Sequence, residues 1–219
     1  MSVYCRLPSE FNREGVALYH SGDLFKASQC FQYALEALDC KYSCDKRKVA
    51  SSHKSVVDDV ALHCYGECGH FIYSAPFVTR RIQRKAYVST VELHAQRAAI
   101  LFNLGLSFHQ QSLQTSTNKV HLLRAAMGYY NTCLKLLKVD KLLKTCANLC
   151  IAVLNNKASL YFEVMAFDEG YKTFQFLASI MRDSMYYQSV TLPQEVLTSI
   201  VLNIANSGPP KLAHAAWKY

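Results

Sequence analysis

Residues 11–35 of the chain read FNREGVALYHSGDLFKASQCFQYAL, and their spacing predicts two antiparallel helices joined by a short turn. Gly15 and Ala27 are small residues at the places where the two helices would approach each other, and the ring of Phe31 is large enough to fill the gap between them. Gly22 can adopt the positive φ that ends the first helix, and Asp23 can cap the start of the second. The stretch therefore predicts a closely packed helix pair.

This helix pair resembles one unit of the tetratricopeptide repeat (TPR) family, in which apolar, glycine, alanine and aromatic residues recur at set distances. The matching residues are Phe11, Gly15, Leu18, Ala27, Phe31 and Ala34, and Glu14 departs from the pattern where the family prefers Leu. A second copy, in LFNLGLSFHQQSL and LLRAAMGYYNTCL, matches at Leu101, Leu104, Gly105, Phe108, Ala126, Tyr130 and Cys133. A third, in LNNKASLYFEVMAFDEGYKTFQFL, matches at Leu154, Ala158, Tyr161, Phe167, Gly170 and Phe174. The insertion and the phrase ILFNLGLSFH also resemble repeat proteins of unicellular algae, and that likeness implies no function.

The predicted fold is all-α: a TPR-like αα superhelix of about three helix pairs, with a C-terminal capping helix and a small β-hairpin insertion. We expect a single domain over residues 1–219. Its parts are repeat 1 at about 9–40, the insertion at 41–88, repeat 2 at about 89–138, repeat 3 at about 140–181, the capping helix at about 193–206 and a tail at 207–219. Because no helix breaker occurs between Asp140 and the turn of the third copy, the apolar pattern predicts one long helix from about 140 to 165.

The insertion departs from the helical period. VDDVALHCY and HFIYSAPFV are rich in β-branched and aromatic residues and flank Gly66-Glu67-Cys68-Gly69, which predicts a β-hairpin. Pro76 indicates that the second strand is an edge strand or ends there.

Composition bounds the class of protein. With 51% hydrophobic and 18% charged residues the chain can bury a core, and it shows neither a signal segment nor an apolar run long enough to span a bilayer. Nine cysteines are an odd number, and reduced thiols fit better than a disulfide framework. We therefore expect an intracellular protein, cytoplasmic or nuclear, with no membrane association. Its net charge of +8 comes from residues 41–54 and 80–85.

Two rival chemistries centre on the insertion. Cys40, Cys44, Cys64 and Cys68 have the spacing of paired zinc ligands, but Cys146 and Cys150 repeat that spacing within a predicted helix, so ordinary thiols are favoured and no metal is assigned. The basic runs DKRK at 45–48 and TRRIQRK at 79–85 could contact nucleic-acid phosphates or serve as a nuclear import signal, although solvated charge is favoured. The alternative function is thus a zinc-stabilised or nucleic-acid-binding module acting through the basic insertion.

The sequence contains no recognisable set of catalytic residues. His63 and His70 flank cysteines, yet no orienting third group or oxyanion site accompanies them, and no phosphate loop or dinucleotide fingerprint occurs. The prediction is that the protein is not an enzyme and needs no cofactor.

The resemblance implies a concave face that binds a protein or peptide. Displacing each packing stripe by one residue, about 100° around the helix, selects the side chains of that face. They are Asn12, Val16, Tyr19, Phe102, Leu106, His109, Asn155, Ser159 and Phe162. We expect Tyr19, Phe102, His109 and Phe162 to form an exposed aromatic surface, unless the insertion or the capping helix folds into the groove.

Binding of acidic chaperone tails is not expected, because the inward places corresponding to the family's carboxylate clamp hold no basic residue; they are Asn12, Val16, Asn103, Leu106, Ala152 and Asn156.

Overall fold

The structure is a computed structural model that describes residues 7–44, 63–65, 69–79, 90–139, 142, 146–186, 190 and 192–207. Within these ranges it contains seven α-helices and two three-residue strands, so the architecture is helical, as predicted. None of the described helices is both long and apolar enough to cross a membrane. The sequence predicted one domain, and the chain divides into two compact units. Unit 1 comprises residues 1–59 and 76–146, and unit 2 comprises residues 60–75 and 147–219.

Unit 1 contains two helix pairs. Its helices are α1 (Pro8–His20), α2 (Leu24–Cys44), α3 (Thr90–Gln114) and α4 (Lys119–Val139). α1 packs on α2, α2 on α3, and α3 on α4. The turn between α1 and α2 forms as the sequence predicted, because Gly22 has a φ of 84° and Asp23 Oδ1 accepts the Lys26 N–H at 3.2 Å.

The helices of unit 1 approach each other through a glycine and a ring, as the repeat spacing predicted. A Cβ atom on Gly15 would lie 2.6 Å from Cε1 of Phe31, and one on Gly105 would lie 2.7 Å from Cε1 of Tyr130. Both rings are fully buried. Only glycine admits so close an approach, so each pair sets the distance between its two helices.

Unit 2 contains the strands β1 (His63–Tyr65) and β2 (Phe71–Tyr73) and the helices α5 (Ala147–Glu163), α6 (Phe167–Tyr186) and α7 (Gln194–Ser207). α5 packs on α6, α6 packs on α7, and β2 lies against α5 and α7. In this pair the glycine lies on the second helix and the ring on the first, the reverse of unit 1. A Cβ on Gly170 of α6 would lie 2.5 Å from the ring of Phe162 on α5. The ring of Phe174, which the repeat pattern put in the filling position, lies 5.9 Å from that of Phe162, centroid to centroid.

The long helix predicted from about 140 to 165 is wrong. α4 ends at Val139, α5 begins at Ala147, and Leu142 and Cys146 are turn residues. The Leu142 N–H donates to the Leu137 carbonyl oxygen and the Cys146 N–H to the Leu142 carbonyl oxygen, which closes two turns outside the regular helices. The apolar spacing could not reveal this break, because neither Gly nor Pro occurs between the two helices.

The insertion contributes β1 and β2, which pair antiparallel with His63 opposite Tyr73 and Tyr65 opposite Phe71. Residues 66–68 of the predicted turn lie outside the described part, and Gly69 has a φ of 78°. β2 ends at Tyr73, before Pro76, and residues 74–79 have no regular secondary structure. All residues from His70 to Phe77 are nevertheless buried.

Candidate functional site

Two asparagines of unit 1 hold Phe77 by its backbone. Asn103 Oδ1 of α3 accepts the Phe77 N–H at 2.7 Å, and Asn103 Nδ2 donates to the Phe77 carbonyl oxygen at 2.8 Å. Asn12 Nδ2 of α1 donates to the same carbonyl at 3.0 Å, and Asn12 Oδ1 accepts a bond of 2.9 Å from Asn103 Nδ2. Both amides are fully buried. We call Asn12 and Asn103 the unit 1 clamp.

Three asparagines of unit 2 hold two residues of β2 in the same way. Asn203 of α7 accepts the Phe71 N–H at 2.8 Å and donates to the Phe71 carbonyl at 2.7 Å. Asn156 of α5 accepts the Tyr73 N–H at 2.7 Å and donates to the Tyr73 carbonyl at 2.8 Å. Asn155 Nδ2 donates to the Phe71 carbonyl at 2.9 Å, and its Oδ1 accepts from Asn203 Nδ2 at 2.8 Å. Asn155, Asn156 and Asn203 form the unit 2 clamp.

The geometry of the clamps is that of a missing strand. In an extended chain the N–H and C=O groups of alternate residues point to the same edge. In unit 2 one edge of β2 belongs to Ile72, which pairs with Cys64 of β1, and the other edge presents Phe71 and Tyr73 to the asparagines. An amide side chain carries one carbonyl acceptor and two N–H donors, so it can satisfy both backbone groups of one extended residue. The clamps therefore recognise an extended backbone and make these bonds without using side chains of the held segment.

Aromatic rings pack beside the held backbone in each unit. In unit 1 the ring of Phe77 lies edge-on to Phe102, with centroids 5.1 Å apart, and Phe102 lies 5.8 Å from Tyr130. In unit 2 the imidazole of His70 lies 4.5 Å from Phe162 and 5.4 Å from Phe174. This burial lowers the pKa of His70, against a weaker opposite effect of the Glu163 carboxylate. The neutral form of His70 is thereby favoured.

The residues predicted to face a partner are covered in this structure. Eight of the nine are buried and Phe162 is half-buried; the buried ones are Asn12, Val16, Tyr19, Phe102, Leu106, His109, Asn155 and Ser159. The rings of Tyr19, Phe102 and His109 are therefore not exposed, and two of the four predicted rings are covered by the insertion, which is the alternative that the sequence left open: Phe77 lies against Phe102 in unit 1, and His70 lies against Phe162 in unit 2. Their assignment as partner-binding residues stays a prediction.

Sequence reasoning selected two of the five clamp asparagines, Asn12 and Asn155, as binding residues. It placed Asn103 and Asn156 at inward positions without giving them a role and did not single out Asn203. A signal was present, because Asn occurs one or two residues after the first apolar position of every copy, at Asn12, Asn103, Asn155 and Asn156. No such recurrence in the sequence pointed to Asn203, because it lies outside the three copies.

The rival sites lie mostly outside the described residues. Of the four candidate zinc ligands, Cys40 is exposed on α2, Cys68 is not described, and the side chains of Cys44 and Cys64 are not described. Among the described residues no group of three or more His, Cys, Asp or Glu side chains could hold a metal ion. Residues 45–48 and 80–85, which carry the basic runs, also fall outside the described ranges.

Comparison of the chain with known protein families, with curated proteins and with solved structures finds no match.

Proposed function

We propose that this protein is an interaction scaffold of the tetratricopeptide type, whose helix pairs bind an extended segment of a partner polypeptide by its backbone. One observation carries the proposal. Buried asparagine amides bond both the N–H and the C=O of Phe71, Tyr73 and Phe77. The close contacts of Gly15 with Phe31 and of Gly105 with Tyr130 support the repeat type.

The choice of asparagine supports recognition over simple packing. A buried amide left unsatisfied costs about 1–3 kcal/mol, whereas an apolar side chain of similar size carries no such penalty. A surface that only had to cover a helix pair would therefore be built more safely from Leu or Val. In each unit, buried amides directed at a stretch of backbone suit a surface that accepts an extended chain, because they bond the groups that every non-proline residue carries.

The chain's own insertion occupies the clamps in this structure, so a partner segment has to displace it. An internal segment has a high effective concentration, and an external peptide then binds more weakly by the fraction of time that the site is free. Weakening the internal segment should therefore strengthen binding of the external one. This gain, with no new contact added, distinguishes the proposed site from adventitious peptide binding.

The test uses the full chain and a fluorescein-labelled peptide with the sequence of residues 69–79, GHFIYSAPFVT. The substitution Phe77→Pro removes the N–H that Asn103 accepts and removes the ring, so it frees the unit 1 clamp. By fluorescence anisotropy we expect the Phe77→Pro protein to bind the peptide at least tenfold more tightly than the wild type. Adding Asn103→Ala should remove that gain, whereas adding Asn131→Ala, an amide on α4 that does not bond the segment, should keep it.

Circular dichroism melts establish that each variant is folded. If Phe77→Pro does not fold, hydrogen exchange of the wild type provides the same test, because excess unlabelled peptide should capture the open clamp and speed exchange of the Phe77 amide. The proposal is contradicted if Asn103→Ala does not weaken peptide binding. It is also contradicted if excess peptide does not change the hydrogen exchange of the Phe77 amide.

A further inference from the structure

The held segment has a pattern that its hydrogen bonds explain. The clamped residues are 71, 73 and 77, which share one parity along the chain, and the proline at position 76 has the other. A proline has no N–H, so it can stand in an extended segment only where no clamp asks for that donor. Pro76 therefore occupies a position that the clamps leave unused and directly precedes a position that they use.

In unit 1 the clamped residue also fills an aromatic pocket. Phe77 is fully buried, its ring meets the ring of Phe102 edge to face, and Tyr130 lies beyond Phe102. Edge-to-face ring pairs contribute more than the apolar area that they bury. The pocket therefore adds a side-chain preference to the backbone recognition that the asparagines supply.

We infer that unit 1 is selective for an aromatic residue in an extended segment of the partner polypeptide, and that it tolerates a proline directly before that residue. This inference rests on the proposed function and specifies its ligand. The clamp of Asn12 and Asn103 requires a residue with a free N–H, and the ring of Phe102 selects its side chain. A proline directly before this residue has no N–H that would need an acceptor. It also restricts the free peptide to fewer conformations, which reduces the entropy lost on binding. Residues 76–77 of the chain are then an internal copy of the partner motif.

A series of peptides tests the motif on the Phe77→Pro protein, with the labelled 69–79 peptide as the reference. Replacing Phe77 of the peptide by Ala should weaken binding at least thirtyfold, and replacing it by Leu should weaken binding about five- to tenfold, because the ring contact is lost. Replacing it by N-methylphenylalanine keeps the ring but removes the N–H, and should weaken binding at least tenfold. Replacing Pro76 by Ala should change binding no more than about fivefold, since no bond is lost.

A protein variant locates the preference in the pocket. In the Phe77→Pro background, Phe102→Leu should reduce the discrimination between the Phe and Leu peptides to about twofold or less, while the N-methyl peptide stays at least tenfold weaker than its parent. If the reference peptide binds and depends on Asn103, but the Phe, Leu and Ala peptides bind alike, the motif is wrong and the proposed function stands. If an N-methyl group at position 77 has no effect, the clamp does not read that residue, and the inference is overturned as well. If no peptide of the series binds, the proposed function and the motif fail together.

Discussion

Gly15 and Phe31 stand in direct contact across the first helix pair, so closely that a methyl group on Gly15 would lie within 2.6 Å of the ring. Gly105 and Tyr130 repeat the relationship in the second pair at 2.7 Å. In both pairs the ring is fully buried and has little freedom to move away. These two contacts set how near the helices lie, and through them where Asn12 and Asn103 stand.

The substitution Gly15→Ala should therefore destabilise the protein, even though alanine favours helix. The added methyl group forces the Phe31 ring or the helices apart, at a cost of about 1–3 kcal/mol. Gly128 of α4 provides the matched control, because a Cβ there would meet no atom within 4 Å. Gly128→Ala should instead stabilise by up to about 1 kcal/mol, since alanine is the better helix former. Urea unfolding measures both.

A double variant separates the clash from other effects of the alanine. If the ring is the obstacle, Gly15→Ala should cost less in a Phe31→Leu background than in the wild type, because the shorter side chain leaves room. Equal costs in the two backgrounds would mean that the contact of Gly15 with Phe31 does not limit the packing of the pair.

The sequence was sufficient for the helix pairs because their information is local. Gly15 and Phe31 are only sixteen residues apart. The helical period shows which face of its helix each residue lies on, so the spacing alone predicts that they meet. The turn was equally readable from Gly22 and Asp23, whose backbone requirements are particular to their residue types. The break before Ala147 was not readable, because it rests on backbone bonds that any residue could make.

The clamps could not be predicted in full, because they join residues far apart in the chain. Phe71 and Asn203 are 132 residues apart, and nothing in either local sequence names the other as its partner. The sequence predicts a hairpin in the insertion, but it does not identify the side chains that bury the residues from His70 to Phe77. The alternation of an extended segment indicates which of its residues share an edge, but it does not indicate which distant side chains bond that edge.

Tyr19 tests whether the groove side of α1 contributes to stability. Its ring is only 7% exposed, so Tyr19→Ala should lower the free energy of unfolding by about 2–4 kcal/mol, approaching the roughly 3–5 kcal/mol expected for Phe31→Ala. Phe25→Ala on α2 is the control, because that ring is 65% exposed, and its loss should cost less than about 0.5 kcal/mol. A Tyr19→Ala protein that melts like the wild type would show that this face is not packed in solution.

Asn203 tests the unit 2 clamp. Asn203→Ala leaves the buried Phe71 N–H and one carbonyl oxygen of Asn155 without their bonds, and an unsatisfied buried group costs about 1–3 kcal/mol. We expect a loss of roughly 2–4 kcal/mol and faster hydrogen exchange of the Phe71 amide. Asn206→Ala on the same helix is the matched control, because Asn206 is exposed and should change stability by less than about 0.5 kcal/mol. If Asn203→Ala and Asn206→Ala were equally stable, the unit 2 clamp would not contribute to stability.

The thiols should differ in reactivity according to burial. Burial raises the pKa of Cys146 to about 11, so at pH 8 only about one thiol in a thousand is the reactive thiolate. Cys40 is exposed. Iodoacetamide at pH 8, followed by peptide mass spectrometry, should label Cys40 at least tenfold faster than Cys146. The rate at Cys146 should rise with pH towards about 11, and equal rates at pH 8 would contradict its burial.

His70 makes the stability of unit 2 depend on pH in a defined direction. Burial against Phe162 and Phe174 lowers its pKa in the folded state below the ordinary value near 6.5. The unfolded chain therefore binds a proton there more readily than the folded chain does, so stability is unaffected above about pH 7 and falls as the pH drops below 6.5. His70→Gln removes the titrating group, and between pH 7.5 and 5.5 it should lose less stability than the wild type, by up to about 1.4 kcal/mol. His20→Gln, which alters an exposed imidazole at the end of α1, should keep the wild-type dependence. Thermal melts of the three proteins across this range decide the matter, and parallel curves for His70→Gln and the wild type would place His70 in water rather than between the two rings.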